Sequence, residues 1–457
     1  MSKQSDSADV ARRYESAVEW IFGLINFERK ASRTRDFRLD RTRQLLAAAG
    51  NPQHAIPAVH IAGTKGKGST ASMVSRILRE SGYTTGLFTS PHITRFEERI
   101  QVDGEEPDRA ELVALVDELK EAVEASGGLV PTYFEAAMLM AWCLYRRHQA
   151  NVAVLEVGLG GRLDATNVCD PEVCVITSIS LDHTNVLGNT LAAIAGEKAG
   201  IIKPGVPVVS GVTEPPARDV IRAVTAKQGG ELFELDRDFS FEYQPAARER
   251  ATGRLSVKTP WTEFTDLPVP LPGAHQGFNA SLAVTVADLL SQRGRSAVSE
   301  ETIRAGLNAG GSLPARVEIM SQEPLVIIDG AHNEASVVAL LSTLDELAPG
   351  GHRVAVFAAT KQKDTQAMLQ HALNAFDIVV FTEYQKNPRA VSIQELESVA
   401  IEIQNGQVGP IRAEWHSSPN PAAAWVRALE LATVDSLICV AGSFFIAAEI
   451  RELVLQA

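Results

Sequence analysis

The sequence predicts an α/β protein: a P-loop-containing, doubly wound parallel-sheet domain followed by a smaller Rossmann-like α/β domain. Three observations predict it. Apolar runs at 58–62, 152–158, 173–180 and 206–210 are continuous rather than alternating, as in strands covered on both faces. Helical patterns such as 109–125 and 134–148 lie between them. A second alternation of the same kind follows a Gly-Gly-Ser-Leu-Pro stretch at 310–314.

The chain has 457 residues, too many for one ordinary core. Its 45% apolar and 22% charged content are globular values. A net charge of −13 argues against a nucleic-acid or anionic-membrane partner. The four cysteines, Cys143, Cys169, Cys174 and Cys439, lack zinc spacing and read as buried thiols in a reducing compartment. The first twenty residues are too polar for a signal peptide. No apolar run approaches the roughly 18 residues of a membrane span. A cytoplasmic protein is expected.

Taken in order, residues 1–57 read as helical, with a basic patch from Arg29 to Arg43 that is expected to be a solvated face. Ala58, Val59, Ile61 and Ala62 then lead into Gly63-Thr64-Lys65-Gly66-Lys67-Gly68-Ser69-Thr70. Met73, Val74, Ile77 and Leu78 follow at helical spacing, and Gly82 is a stop signal. Strand, glycine-rich loop, helix is the context of a phosphate-binding loop. Backbone N–H groups and a helix N-terminus meet the anion, Lys67 adds charge, and Ser69 or Thr70 can reach a magnesium ion. The competing reading is a surface turn, since Gly68 separates Lys67 from the hydroxyl that usually follows it directly.

Glu156 closes the apolar run 151–158. An unpaired buried carboxylate is costly, and the carboxyl edge of a parallel sheet is where ligands bind, so a magnesium ligand is the favoured reading over a structural salt bridge. His183 follows the next strand and would reach the same edge, although magnesium prefers oxygen. Lys198 stands seven residues after Leu191 and four after Ile194, on their apolar face. Such a lysine usually snorkels. Held instead near the site, it would have a depressed pKa and could react with carbon dioxide to give an anionic metal ligand.

From 231 to 270 the pattern alternates like small antiparallel strands, at 239–243 and 255–258, before helices at 279–292 and 299–309. The domains are expected at 1–312 and 313–457, with a ligand cleft between them. In the second, strands are expected at 325–328, 353–358, 377–381 and 436–441. Asp329 and His332 follow the first of these, and Arg316 is placed to reach phosphate. Asp329 could equally cap the next helix.

Together these segments resemble the folylpolyglutamate synthase/dihydrofolate synthase family of the Mur ligase superfamily. The resemblance rests on Gly63 to Ser69, Thr89-Ser90-Pro91-His92, Phe134-Glu135-Ala136-Ala137, Glu156 to Asn167, Leu181-Asp182-His183 and Glu197 to Lys203. It continues through Pro272 to Gln276 with Asn279, Pro314-Ala315-Arg316, Asp329 to Asn333, Asn387-Pro388-Arg389 and Gly442-Ser443. This P-loop type ends Lys-Gly-Ser, and Lys65 stands where the family usually has Asn.

The resemblance implies that Gly66, Lys67, Gly68 and Ser69 hold the ATP phosphates. It implies that Ser90, Glu156 and His183 ligate Mg²⁺, and that Lys198 is a carbamylated lysine. Asn279, Arg316, Asp329 and His332 would contact nucleotide, and Phe134 and Asp164 would lie near the pterin. The implied activity is an ATP-dependent carboxylate–amine ligase acting on a folate or dihydropteroate and L-glutamate, as a monomer. Lys67 and Mg²⁺ would neutralise charge in forming an acyl phosphate, and closure of the second domain would exclude water. The competing readings are another Mur-type ligase using a cell-wall precursor and an ATP-binding protein without turnover.

Overall fold

The computed structural model describes residues 2–26, 39–245, 252–295, 297–309, 313–406 and 411–456. The chain forms two compact units. One comprises Met1–Tyr243, Leu255–Pro268 and Gln276–Ala309; the other comprises Gln244–Arg254, Val269–His275 and Gly310–Ala457. The expected boundary at 312/313 abuts 310–312, which lie outside the described residues, as does most of the Arg29–Arg43 patch. Of that patch, Arg41 is not simply solvated: its Nε donates to Glu135 Oε2 at 2.8 Å.

The first unit begins with α1 (Ser2–Gly23) and α2 (Leu39–Ala48). Its sheet contains β1 (Ala58–Ala62), β2 (Thr85–Phe88), β3 (Ile100–Val102), β4 (Val152–Glu156), β5 (Pro171–Ile176), β6 (Val208–Ser210) and β7 (Leu232–Glu234). The spatial order is β3-β2-β4-β1-β5-β6-β7, parallel except for the antiparallel β2–β3 pair. The chain leaves β1 toward one side and returns to its other side at β5. The loop after β1 therefore sits where the winding reverses, the usual ligand position in such sheets. Every residue of β1, β4 and β2 is buried, which is why the 58–62 and 152–158 runs read as nearly continuously apolar.

The helices α3 (Lys67–Glu80), α4 (Arg109–Ala125), α5 (Tyr133–Arg147), α6 (Thr184–Leu187), α7 (Leu191–Ala199) and α8 (Pro215–Gln228) connect these strands. Local chemistry sets their ends. Thr132 caps α5, accepting the Glu135 N–H while Glu135 accepts the Thr132 N–H, a capping box. Thr190 caps α7 by accepting from Ala193 N–H at 3.1 Å. A three-stranded sheet of β8 (Ser240–Gln244), β9 (Gly253–Lys258) and β10 (Glu263–Val269) follows, then α9 (Ala274–Gln292) and α10 (Glu300–Asn308).

The second unit has a sheet ordered β11-β12-β16-β13-β14-β15. Its strands are β11 (Glu318–Gln322), β12 (Leu325–Ile328), β13 (Arg353–Phe357), β14 (Ile378–Phe381), β15 (Glu414–Ser417) and β16 (Leu437–Ala441). All neighbours are parallel except the β11–β12 hairpin. Helices α11 (Glu334–Leu347), α12 (Thr365–Ala375), α13 (Ile393–Gly406), α14 (Pro421–Leu431) and α15 (Phe444–Gln456) pack on it. Among the described residues no helix is long and apolar enough to cross a membrane. All four cysteines are free and buried.

Candidate nucleotide and acceptor site

Register brings the first unit's chemistry to one edge. Ile61 pairs with Glu156, Ala62 with Ile176, and Phe88 with Leu155. The residues that follow these strands (the 63–69 loop, Ser90, Gly158 and Thr177-Ser178) therefore emerge side by side.

The loop is held by the backbone and side chains of Thr177 and Ser178 at the neighbouring strand's exit. Thr64 N–H donates to Ser178 O at 2.7 Å, Lys65 N–H to Ser178 Oγ at 3.1 Å, and Thr177 Oγ1 donates to Lys65 O at 2.6 Å. Gly66 caps α3 in a left-handed conformation, with φ of 81°. A Cβ there would lie 2.1 Å from Asn279 Oδ1, so glycine is required twice over, by backbone and by space. Asn279 thus packs against the loop, oriented by Gln276, whose Oε1 accepts from Asn279 Nδ2 at 3.0 Å. The start of α3 presents backbone N–H groups as an anion site.

Gly68, the departure from the general loop pattern, has a structural reason. A Cβ at 68 would lie 3.1 Å from Glu156 Oε2. The glycine lets the Glu156 carboxylate approach the first turn of α3. The same Oε2 accepts the Ser90 N–H at 2.9 Å. Both residues of the hydroxyl pair are buried in the first turn of α3, Ser69 at 2% exposure and Thr70 at 0%, and Thr70 Oγ1 has no hydrogen-bond partner among the described residues.

Lys198 does not snorkel. It sits in the last turn of α7, 5% exposed, and its Nζ donates to Gly63 O at 2.8 Å. Burial, then the neighbouring Lys67, pushes its pKa down from 10.5 to about 7, with Asp182 opposing. Lys65 lies in the same field and reaches Asp182 Oδ2 at 3.4 Å. His183 is the N-cap of the short α6, in a left-handed conformation with φ of 50°. Its side chain is 49% exposed, and its Nε2 lies 3.9 Å from Asp182 Oδ1.

Phe134 and Asp164 meet at Gly158. A Cβ there would lie 2.5 Å from the Phe134 ring and 3.2 Å from Asp164 Oδ2. The ring is half-buried and braced edge-on by Phe88 at 5.5 Å. Asp164 Oδ1 accepts from Thr166 N–H and Thr166 Oγ1, and Oδ2 accepts from Leu159 N–H at 2.9 Å. Burial raises its pKa, against these hydrogen bonds and Lys67, which lower it. An aromatic face beside a carboxylate acceptor suits a flat nitrogen heterocycle with N–H donors.

In the second unit Arg316 and His332 lie against Phe444, and Asp329 holds the backbone beside them. The Arg316 guanidinium lies 4.5 Å from the ring centroid and the His332 ring 5.2 Å from it. Asp329 Oδ2 accepts from Val317 N–H and Oδ1 from Ala331 N–H. Asp329 does not cap α11; Asn333 does, accepting from Ser336 N–H. His332 Nδ1 donates to Gly330 O at 2.8 Å, since a carbonyl only accepts. The sequence reading missed Phe444, Thr166 and His60. Of these only His60 carried a visible signal, a polar side chain inside a fully buried strand.

The chain matches two protein families in succession, the Mur ligase middle domain over residues 61–287 and the glutamate ligase domain of Mur ligases over 315–444. It is 35% identical over 446 residues to a dihydrofolate synthase/folylpolyglutamate synthase of Bacillus subtilis, covering 96% of this chain and 98% of the relative. It is 36% identical over 444 residues to a folylpolyglutamate synthase of Lacticaseibacillus casei, covering 96% and 98%. Among solved structures, a Mycobacterium tuberculosis folylpolyglutamate synthase complexed with ADP superposes with a TM-score of 0.85 at 31% identity, covering 97% of this chain and 99% of that one. Escherichia coli FolC in complex with DHPP and ADP gives 0.82 at 30%, covering 96% and 98%.

The paired α/β units and the loop at the reversal of the first sheet define the class, the Mur ligases, which are ATP-dependent enzymes that form amide bonds. Within it, the chain belongs to the folylpolyglutamate synthase/dihydrofolate synthase family.

Proposed function

We propose that this chain uses ATP to join the amino group of L-glutamate to the carboxylate of a folate-type acceptor: tetrahydrofolate, dihydropteroate or both. The observation that carries the reading is the convergence at one sheet edge of the 63–69 loop, Glu156, Lys198 and the Phe134–Asp164 pair. The relatives are named for these reactions, and the solved neighbours are described with ADP and DHPP.

An acceptor carboxylate oxygen attacks the γ-phosphorus of ATP, ADP leaves, and an acyl phosphate results. The glutamate amine then attacks the acyl carbon, loses a proton, and phosphate leaves as the amide forms. Backbone N–H groups of Gly66 and Gly68, with Lys67, hold the phosphates and offset their charge. Gly63, Thr64, Lys65, Ser69, Thr70 and Asn279 complete this nucleotide site. We also assign Arg316, Asp329 and His332 to nucleotide binding. Phe134 stacks on the pterin while Asp164 accepts from its N–H groups.

The residues present fit Mg²⁺. The Glu156 carboxylate, lying against the first turn of α3, would repel a phosphate bound there unless a cation stands between them. Among the described residues no three His, Cys, Asp or Glu side chains converge on one point. Mg²⁺ keeps several waters and takes phosphate oxygens, so it needs only one or two protein oxygens. Ser69, Ser90 and Glu156 would hold one ion, and His183 with carbamylated Lys198 a second; bound there, Mg²⁺ would neutralise charge on the transferring phosphoryl group. The depressed pKa of Lys198 supports carbamylation, because the neutral amine is the form that adds carbon dioxide. A monomer in the cytoplasm, divided near 312/313, completes the reading.

The test is phosphate release from MgATP with L-glutamate, comparing dihydropteroate with tetrahydrofolate. Turnover with both makes the enzyme bifunctional, and turnover with one assigns it to that reaction. ATP binding without turnover on either overturns the folate reading.

A further inference from the structure

His60 lies in the middle of β1, with 0% exposure, three residues before the loop. A fully buried imidazole in an apolar strand is costly without a hydrogen bond. Its Nε2 lies 2.8 Å from Thr166 Oγ1. Its Nδ1 is enclosed and has no hydrogen-bond partner among the described residues.

The direction of this chain of hydrogen bonds follows from its far end. Thr166 Oγ1 lies 2.6 Å from Asp164 Oδ1, and a carboxylate oxygen only accepts, so the Thr166 hydroxyl donates there. Its single proton is then spent, and the Thr166 oxygen accepts from His60. The proton of the neutral imidazole must therefore be on Nε2, which leaves Nδ1 as the unpartnered acceptor. Burial, with Lys203 adding to it, pushes the His60 pKa down to about 3, consistent with a neutral ring. The Asp164 carboxylate is thus fixed by Thr166 through both its N–H and its hydroxyl, and by Leu159 N–H on the other oxygen.

We infer that His60 is a positioning residue for acceptor binding: acting through Thr166, it fixes Asp164 as a hydrogen-bond acceptor beside the Phe134 ring. This rests on the proposed reading of Asp164 and Phe134 as the heterocycle subsite. His60 selects a ligand whose ring edge carries N–H donors, because the relay delivers donors to Asp164 from the protein side. Without the His60 N–H, the Thr166 oxygen loses its anchor: the hydroxyl still donates to Asp164 but is no longer held in place, and the carboxylate can turn with it.

The test is steady-state kinetics on the full-length enzyme with His60→Leu, His60→Gln, Thr166→Val and Asp164→Asn. Leu removes the donor, whereas the Gln amide can donate from the place of Nε2. His60→Leu and Thr166→Val are expected to raise the acceptor KM about tenfold, the effect of losing one hydrogen bond of the relay, while the ATP KM stays within about twofold. His60→Gln is expected to restore the acceptor KM to within about threefold of the parent. The double variant His60→Leu/Thr166→Val is expected to match either single one, since both break one relay.

A merely structural His60 would shift the ATP KM as much as the acceptor KM, because β1 feeds the loop directly, and Gln would not rescue it; that result overturns the inference. If His60→Leu fails to fold, Thr166→Val alone decides, since it leaves β1 intact. If Asp164→Asn leaves the acceptor KM unchanged, the subsite reading falls instead. If Asp164→Asn raises it while His60→Leu and Thr166→Val do not, only the role of His60 falls.

Discussion

Asp329 accepts a hydrogen bond from the backbone N–H of Val317 at 2.8 Å, and Val317 is a β-branched residue held at a φ of 48°. Ala315, on the other side of Arg316, is also left-handed, at 52°. Such conformations cost roughly 1–3 kcal/mol each and persist only where the surroundings enforce them. Here Glu318 Oε2 accepts the Ala315 N–H at 3.0 Å, and Arg451 holds Glu318 in place. The strained turn sets Arg316 over Phe444. Asp329 thus acts on the backbone that presents Arg316.

Asp329→Asn is accordingly expected to act through Arg316. The amide offers one acceptor where two N–H groups now converge, leaving one of them facing another donor. The loss is roughly 1–3 kcal/mol, about a tenfold or greater rise in ATP KM. Arg316→Ala should be no worse when added to it. Titration of ATP binding by calorimetry on the single and double variants checks this, and full additivity would contradict it.

Lys198→Ala is expected to lose most activity, and added bicarbonate should not restore it, because no amine remains to carbamylate. Phosphate release under varied bicarbonate is the measurement. Full activity in the variant would remove Lys198 from the mechanism.

Lys198 also predicts a pH dependence of stability. Its folded pKa, about 7, lies below its ordinary value of 10.5, so between these values the unfolded chain binds the extra proton. Stability contributed by this site therefore rises with pH across that window and is lowest below pH 7, where a charged lysine must stay buried. Against a Lys198→Met variant, the metal-free parent should gain in melting temperature from pH 7 to pH 10. A difference that stays flat would mean the lysine remains charged.

Gly66→Ala is expected to abolish ATP binding. The left-handed φ alone costs about 1–2 kcal/mol, and the new Cβ would meet Asn279 Oδ1 at 2.1 Å. Adding Asn279→Ala should relieve the clash and leave the backbone strain, so the double variant should fold better than Gly66→Ala without regaining parental affinity. Thermal unfolding and nucleotide titration separate the two effects.

Glu156→Gln is expected to raise the Mg²⁺ requirement for turnover by about tenfold or more, because a charged oxygen donor is lost beside Gly68. Nucleotide binding measured without Mg²⁺ should change little, or tighten, as a carboxylate leaves the phosphate site. A Mg²⁺ dependence identical to the parent would place the ion elsewhere.

Much of this molecule was legible before folding. The runs at 58–62 and 325–328, and the helix at 109–125, match the observed elements to the residue, because long apolar runs and regular periodicity report burial directly. Strand β2 was not legible: four residues with Gly86 at the centre give little pattern. Its glycine is explained only by Tyr145, whose ring a Cβ would meet at 2.7 Å. The loop, Glu156 and Lys198 could each be picked out as residue types in a suggestive place. The snorkelling alternative for Lys198 was removed by its packing against Gly63 O.

By itself the sequence determined the alternation of strands and helices, the glycine-rich loop after the first strand, and the chemistry available at each strand end. These depend on short-range periodicity and residue type. Tertiary structure alone decided which strand ends share an edge, that Gly68 makes room for Glu156, that Asp329 serves the turn carrying Arg316, and that His60 reaches Asp164 through Thr166. Those relations join residues dozens to more than a hundred positions apart, or across a turn whose strain no pattern records. Sheet register and close packing fix them, and neither leaves a local trace in the chain.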